Sequence, residues 1–122
     1  MRLEPPIDRS RILDQCLDNL DFALSLLDDF AKTSPARLKE FDTALAEQNQ
    51  TAIVTKAHAL RGTAGILAII TLPEICSKLE SAATNGDWNQ TRELIQQLRD
   101  ETQRIIEFIP MIRDPALPSS AQ

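Results

Sequence analysis

The sequence predicts an all-α fold: an antiparallel up-down four-helix bundle with an additional N-terminal helix. Three observations carry this. Apolar residues recur at three- and four-residue spacing along most of the chain, the period of one helix face. Only 3 glycines occur in 122 residues, and Gly62 and Gly65 both fall inside a helical pattern. The connections between the later segments are short, as between antiparallel neighbours in a bundle.

The punctuation bounds five helical segments. The first is predicted from about Arg9 to Lys32, after Pro5-Pro6 and with Asp8 as N-cap; its stripe is Leu13, Cys16, Leu17, Leu20, Leu24, Leu27 and Ala31. Ser34-Pro35 reads as the start of a second helix, with serine capping and proline at the first helical position. Leu38, Phe41 and Leu45 form its inner face, and Glu47 to Gln50 ends it. The third covers about Thr51 to Ile70, with Ile53, Ala57, Leu60, Ala64 and Leu67 inward. The apolar run from Ile66 to Thr71 is not read as a strand, because Thr71-Leu72-Pro73-Glu74 has the pattern of a capping box opening another helix. That fourth helix buries Leu72, Ile75, Cys76, Leu79, Ala82 and Ala83 and stops at Asn85-Gly86. Asp87 caps the fifth, whose seam is Trp88, Ile95, Leu98, Thr102, Ile105 and Ile109, and Pro110 ends or bends it.

Residues 1–122 read as a single domain, with a core from about 7 to 112 and a frayed tail over 113–122. No apolar run approaches the ~20 residues of a membrane span, and a signal-like start is absent, so a cytoplasmic protein is expected. The formal net charge of −5 argues against nucleic acid as partner. That charge is uneven: Gln48 to Pro73 contains no acid, only Lys56 and Arg61, and so carries +2 against −7 elsewhere. A basic stretch in an acidic chain suggests that an anion is handled there. The two cysteines, Cys16 and Cys76, lack metal-ligand spacing and read as small buried apolar groups.

Within that stretch lies the one histidine of the chain, His58. At about 100° per residue, it projects about 140° from the centre of the third helix's core stripe, hence outward. Gly62 and Gly65 follow on the same face. Glycine inside a helix costs about 1 kcal/mol relative to alanine, and on an outward stripe the evident return is clearance for a second molecule beside the imidazole. Ile69 continues the row, and Val54 with Ile69 suggests a docking surface. Arg61, one turn along and about 60° to the side, is placed to pair with negative charge on the ring. Other chemistries lack their parts. There is no second histidine for a zinc site, no glycine-rich phosphate loop, and no evident nucleophile for His58 to activate.

Ala57-His58-Ala59-Leu60-Arg61-Gly62-Thr63-Ala64-Gly65 resembles the signature of histidine-containing phosphotransfer (HPt) domains. Leu79-Glu80, the Gly86-Asp87-Trp88 turn, and the lead-in through Phe22, Leu27, Phe30 and Phe41 are also similar, so the resemblance spans about Ile7 to Ile109. It implies that His58 takes a phosphoryl group from a receiver-domain aspartyl phosphate and passes it to another receiver. Arg61 then stands for the family's usual lysine, Thr63 for its small or hydroxyl position, and Gly62 provides clearance; Val54, Thr63, Gly65 and Ile69 are the expected docking residues. The implied partners are receiver domains of response regulators or hybrid histidine kinases. The chain itself is expected to be a monomer without metal, cofactor, autokinase or hydrolase chemistry, the receiver bringing Mg²⁺. Ala68 stands where the family commonly has a third glycine. Placed on a helix, it falls about 80° from His58, at the edge of the bundle interface. The rival readings are a non-phosphorylated helical module that docks a receiver or other partner, and a helical scaffold within a larger assembly.

Overall fold

Four short polar side chains set where the helices begin. Asp8, Asn19, Asn49 and Asp87 each accept a hydrogen bond from the backbone N–H three residues on, at Arg11, Phe22, Ala52 and Gln90, satisfying a donor that the helix leaves orphaned. In the computed structural model, which describes residues 4–113, the order is α1 (Arg9–Gln15), α2 (Leu20–Ala46), α3 (Gln50–Ile66), α4 (Leu72–Thr84) and α5 (Trp88–Phe108), then a 3₁₀ segment Ile109–Arg113. The tail from Asp114 lies outside the described residues. Helices α2 to α5 form the antiparallel bundle and α1 is the additional N-terminal helix. No helix among the described residues is long and apolar enough to cross a membrane.

The division of the first 46 residues differs from the sequence expectation. The stretch expected as one helix from Arg9 breaks after Gln15: Leu17 and Asp18 take left-handed backbone angles (φ 54° and 62°), and Asn19 starts α2 afresh. Leu17, expected in the stripe, is 90% exposed. Conversely, Ser34-Pro35 starts nothing, and α2 runs through Pro35. The residues before the ring reinforce the turn it weakens. Ser34 Oγ donates to the Phe30 carbonyl (2.7 Å) rather than capping. The Arg37 guanidinium donates to Thr33 and Ser34 and lies over the Phe30 ring, 4.9 Å from its centre. Burial of Phe30, Ser34 and Phe41 holds both halves against the core and overrides the proline.

Ile53, Ala57, Leu60 and Ala64 of α3 are buried, as are Ile75, Cys76, Leu79 and Ala83 of α4 and Leu94, Leu98 and Ile105 of α5. Each fully buried Leu or Ile contributes about 1.5–3 kcal/mol, so this seam fixes α3 against α4.

Helix α3 ends at Ile66, four residues short of the expected Ile70. Ala68 adopts φ 56°. The Ile69 N–H returns to the Ala64 carbonyl (2.9 Å) and the Ala68 N–H to that of Gly65 (3.4 Å), the pair of bonds that closes a helix in a left-handed cap. The N-terminal lead-in then pairs with the emerging chain. The Asp8 N–H donates to the Ala68 carbonyl and the Ile70 N–H to that of Pro6, both at 2.9 Å, around an isolated antiparallel bridge between Ile7 and Ile69. Thr71 does precede α4, but its side chain makes no cap. Its hydroxyl instead donates to the buried Glu101 carboxylate (2.5 Å), which Arg104 also grips.

Candidate functional site

The core stripe of α3 leaves Thr55, His58, Ala59, Gly62, Gly65 and Ile66 facing solvent. The His58 side chain is 71% exposed. A Cβ placed on Gly62 or Gly65 meets no atom within 4 Å, so neither glycine serves helix packing. The open grooves between α2 and α3 and between α2 and α5 are lined by other residues, Lys39 and Thr43 among the first and Leu38 and Ile106 among the second. The imidazole thus stands on an exposed strip of small residues suited to the approach of another protein surface.

Beneath the ring lies a polar cluster shared with α4. Arg61 Nη2 is 3.0 Å from His58 Nδ1, and Arg61 Nη1 donates to Ser77 Oγ (3.1 Å). Arg61 Nη2 also lies 3.3 Å from Glu80 Oε2, a charge contact without hydrogen-bond geometry, since Oε2 is buried and accepts no hydrogen bond. The other oxygen, Glu80 Oε1, is 3.7 Å from His58 Nδ1. The guanidinium is therefore braced by a hydroxyl and a carboxylate against one ring nitrogen, while Nε2 points away from the cluster. Cys76, one turn before Glu80, is fully buried. Burial above all, then the Glu80 charge, pushes its thiol up to about 12, with Arg61 pulling the other way; it is no nucleophile at neutral pH. Among the described residues, no group of His, Cys, Asp and Glu is arranged to hold a metal ion.

The Hpt domain family model matches residues 25–108, more than half of the chain. The chain belongs to the Hpt family. As an Hpt domain it has a phosphotransfer role in phosphorelay signalling. Its fold is similar to histidine-containing phosphotransfer protein B from Pseudomonas aeruginosa PAO1, with a TM-score of 0.77 and 24% identity over 93% of this chain and 98% of that one. It is also similar to the HPT domain of the Hpt sensor hybrid histidine kinase from Shewanella, with a TM-score of 0.71 and 20% identity over 88% of this chain and 92% of that one. No curated protein matches it.

Of the expected site residues, His58, Arg61, Gly62 and Gly65 share one surface. Thr63 is half-buried at its edge. Val54 is half-buried against the core and offers only a margin. Ile69 must be removed from the docking row: it is 1% exposed, because the helix that would have turned it outward has already closed at Ile66. Ile66 itself, 66% exposed, supplies the apolar end of the strip. Ser77 and Glu80 were not among the expected site residues. The tight turn centred on Ile69 carries their signal, since it folds α4 back so that 58 faces 80 and 61 faces 77.

Proposed function

We propose that His58 accepts a phosphoryl group from the aspartyl phosphate of a receiver domain and hands it to the aspartate of another. The observation that carries this reading is the exposed imidazole beside Arg61 on a strip kept open by Gly62 and Gly65. Nε2 is the attacking atom, because Nδ1 faces Arg61 and Glu80. Its lone pair forms the N–P bond as the P–O bond to the aspartyl carboxyl breaks and the carboxylate leaves; return transfer reverses this. Phosphoryl transfer depends mainly on in-line placement and stabilisation of charge. The bundle supplies the placement and the Arg61 guanidinium a cation one turn from the ring. The receiver brings the Mg²⁺. The chain acts as a cytoplasmic, monomeric carrier without kinase or hydrolase activity of its own.

The test follows a label through three proteins. A receiver carrying labelled aspartyl phosphate is mixed with the chain, repurified from the donor, and offered to a second, unlabelled receiver. Label on the chain and then on the second receiver supports the carrier. Stable binding of a receiver with no label acquired would favour a docking module instead.

A further inference from the structure

Arginine has five N–H donors and no acceptor, and keeps its proton at any accessible pH. Its Nη2 can therefore stand 3.0 Å from His58 Nδ1 only when Nδ1 presents a lone pair. The ring is then neutral with its one proton on Nε2. For the transfer proposed above this is the idle tautomer. The solvent-facing nitrogen has no free lone pair, and the nitrogen that has one is covered by a guanidinium.

We propose that Arg61 is a tautomer latch: it holds His58 in the Nε2–H form until a phosphorylated partner draws it away. This rests on the reading of His58 as phosphoryl acceptor. The catch is built by α4, where Ser77 Oγ takes Nη1 at 3.1 Å and Glu80 Oε2 lies 3.3 Å from Nη2. The alternative partner for Nδ1 is already in place. Glu80 Oε1 stands 3.7 Å from it, too far for a hydrogen bond while the guanidinium intervenes, and Oε2 is buried without accepting one. This carboxylate has acceptor capacity in reserve.

Release proceeds without any net change in ring protonation. The incoming phosphoryl group is dianionic and offers Arg61 a stronger partner than a neutral nitrogen. As Arg61 turns to it, Nδ1 takes a proton from water and directs it to Glu80, and the Nε2 proton is lost to water. The freed Nε2 lone pair then attacks phosphorus, the bond to the aspartyl oxygen breaks, and the carboxylate leaves. The Nδ1 proton remains, and Glu80 balances the positive charge of the phosphorylated ring. Ser77 and Glu80 are positioning residues in this scheme, and the nucleophile matures only when a phosphoryl donor is docked.

The experiment reads the ring nitrogens directly. Because the chain has 1 histidine, long-range proton–nitrogen-15 correlation on the intact, unphosphorylated chain gives His58 without ambiguity. It is recorded at about pH 8.5, roughly two units above the ordinary imidazole pKa. The wild type should show an unprotonated Nδ1 and a protonated Nε2. The free ring already leans that way, so the contrast with variants is decisive. Arg61→Met keeps an unbranched, flexible stem at this position and removes every donor. It should raise the ratio of Nδ1–H to Nε2–H by roughly tenfold, the worth of one charge-assisted hydrogen bond, as Nδ1 turns to Glu80. Ser77→Ala should move the shifts part of the way, and Arg61→Met with Glu80→Ala should return them to those of a free histidine. A protonated Nδ1 in the wild type, or unchanged nitrogen shifts in Arg61→Met, overturns the latch. No receiver is involved, so this result stands apart from whether His58 carries phosphate.

Discussion

Filling the space above Gly62 should move stability and function in opposite directions. A Cβ at this position meets nothing within 4 Å, and the residue lies in the interior of α3 with ordinary helical geometry. Gly62→Ala therefore removes the glycine penalty of about 1 kcal/mol with no packing cost to set against it. For a chain of this size that raises Tm by about 4 °C. Gly65 is equally open but lies in the last turn of α3 and is an i,i+3 neighbour of Gly62, so the double alanine variant should gain more than Gly62→Ala but less than twice as much. The added carbons stand on the strip about one turn (Gly62) and about two turns (Gly65) from the imidazole, where a receiver must come close. Transfer should fall several-fold in Gly62→Ala and by about two orders of magnitude in Gly62→Leu, whose branched side chain keeps the two surfaces apart by more than the ~1 Å misplacement that already costs about a hundredfold. Thermal unfolding followed by circular dichroism gives the first quantity, and label transfer from a phosphorylated receiver the second. A lower Tm would mean that the glycines serve the fold. Unchanged transfer in Gly62→Leu would refute the clearance argument.

Arg61→Ala frees the Nε2 lone pair but removes the cation that meets the phosphoryl group, and the second loss is the larger, so transfer should slow several-fold or more with the circular dichroism spectrum unchanged; Arg61→Lys retains a cation but cannot bridge Ser77 and Glu80 at once and should fall between. Ala68→Gly relieves the left-handed strain at φ 56°, about 1 kcal/mol, and loses one buried methyl, about 0.8 kcal/mol. The balance is small, so Tm should move by less than about 4 °C and the transfer rate should not change. The Cys76 thiol, held up near 12 by burial and Glu80, should ignore thiol reagents at pH values where a free cysteine reacts, as read in a Cys16→Ser background, and react once the chain is unfolded. Because its folded value lies above the ordinary 9.0, the stability that goes with the neutral thiol is present below pH 9.0 and is lost as the pH rises toward about 12; Cys76→Ala should flatten that alkaline decline.

The face of α3 was legible because it depends on local periodicity alone: the stripe from Ile53 to Ala64 fixes where His58 points, and the glycines need no tertiary information to be out of place. The ends of the helices were less so. The break at Leu17-Asp18 hides in a stripe that stays in phase across it, and its one local signal is Asn19 as a cap. Pro35 misled for the opposite reason, since the bonds of Ser34 and Arg37 that carry α2 past it form only within the folded helix. Ala68 shows the same limit. As a helical residue it would sit at the bundle edge; as the closing residue of α3 it occupies a left-handed site of the kind glycine fills without strain. Ile69 followed it into the interior. Ser77 and Glu80 required pairing two helices across a turn, a step that periodicity within either helix does not supply.

The account turns on His58 as the acceptor. Incubating the wild type and His58→Gln with the same phosphorylated receiver, then splitting each sample between acid and alkali, tests it most directly. The wild type should take up label that acid removes and alkali leaves, as for a phosphoramidate, and His58→Gln, with its helical spectrum intact, should take up none. Equal labelling of the two proteins would contradict the account.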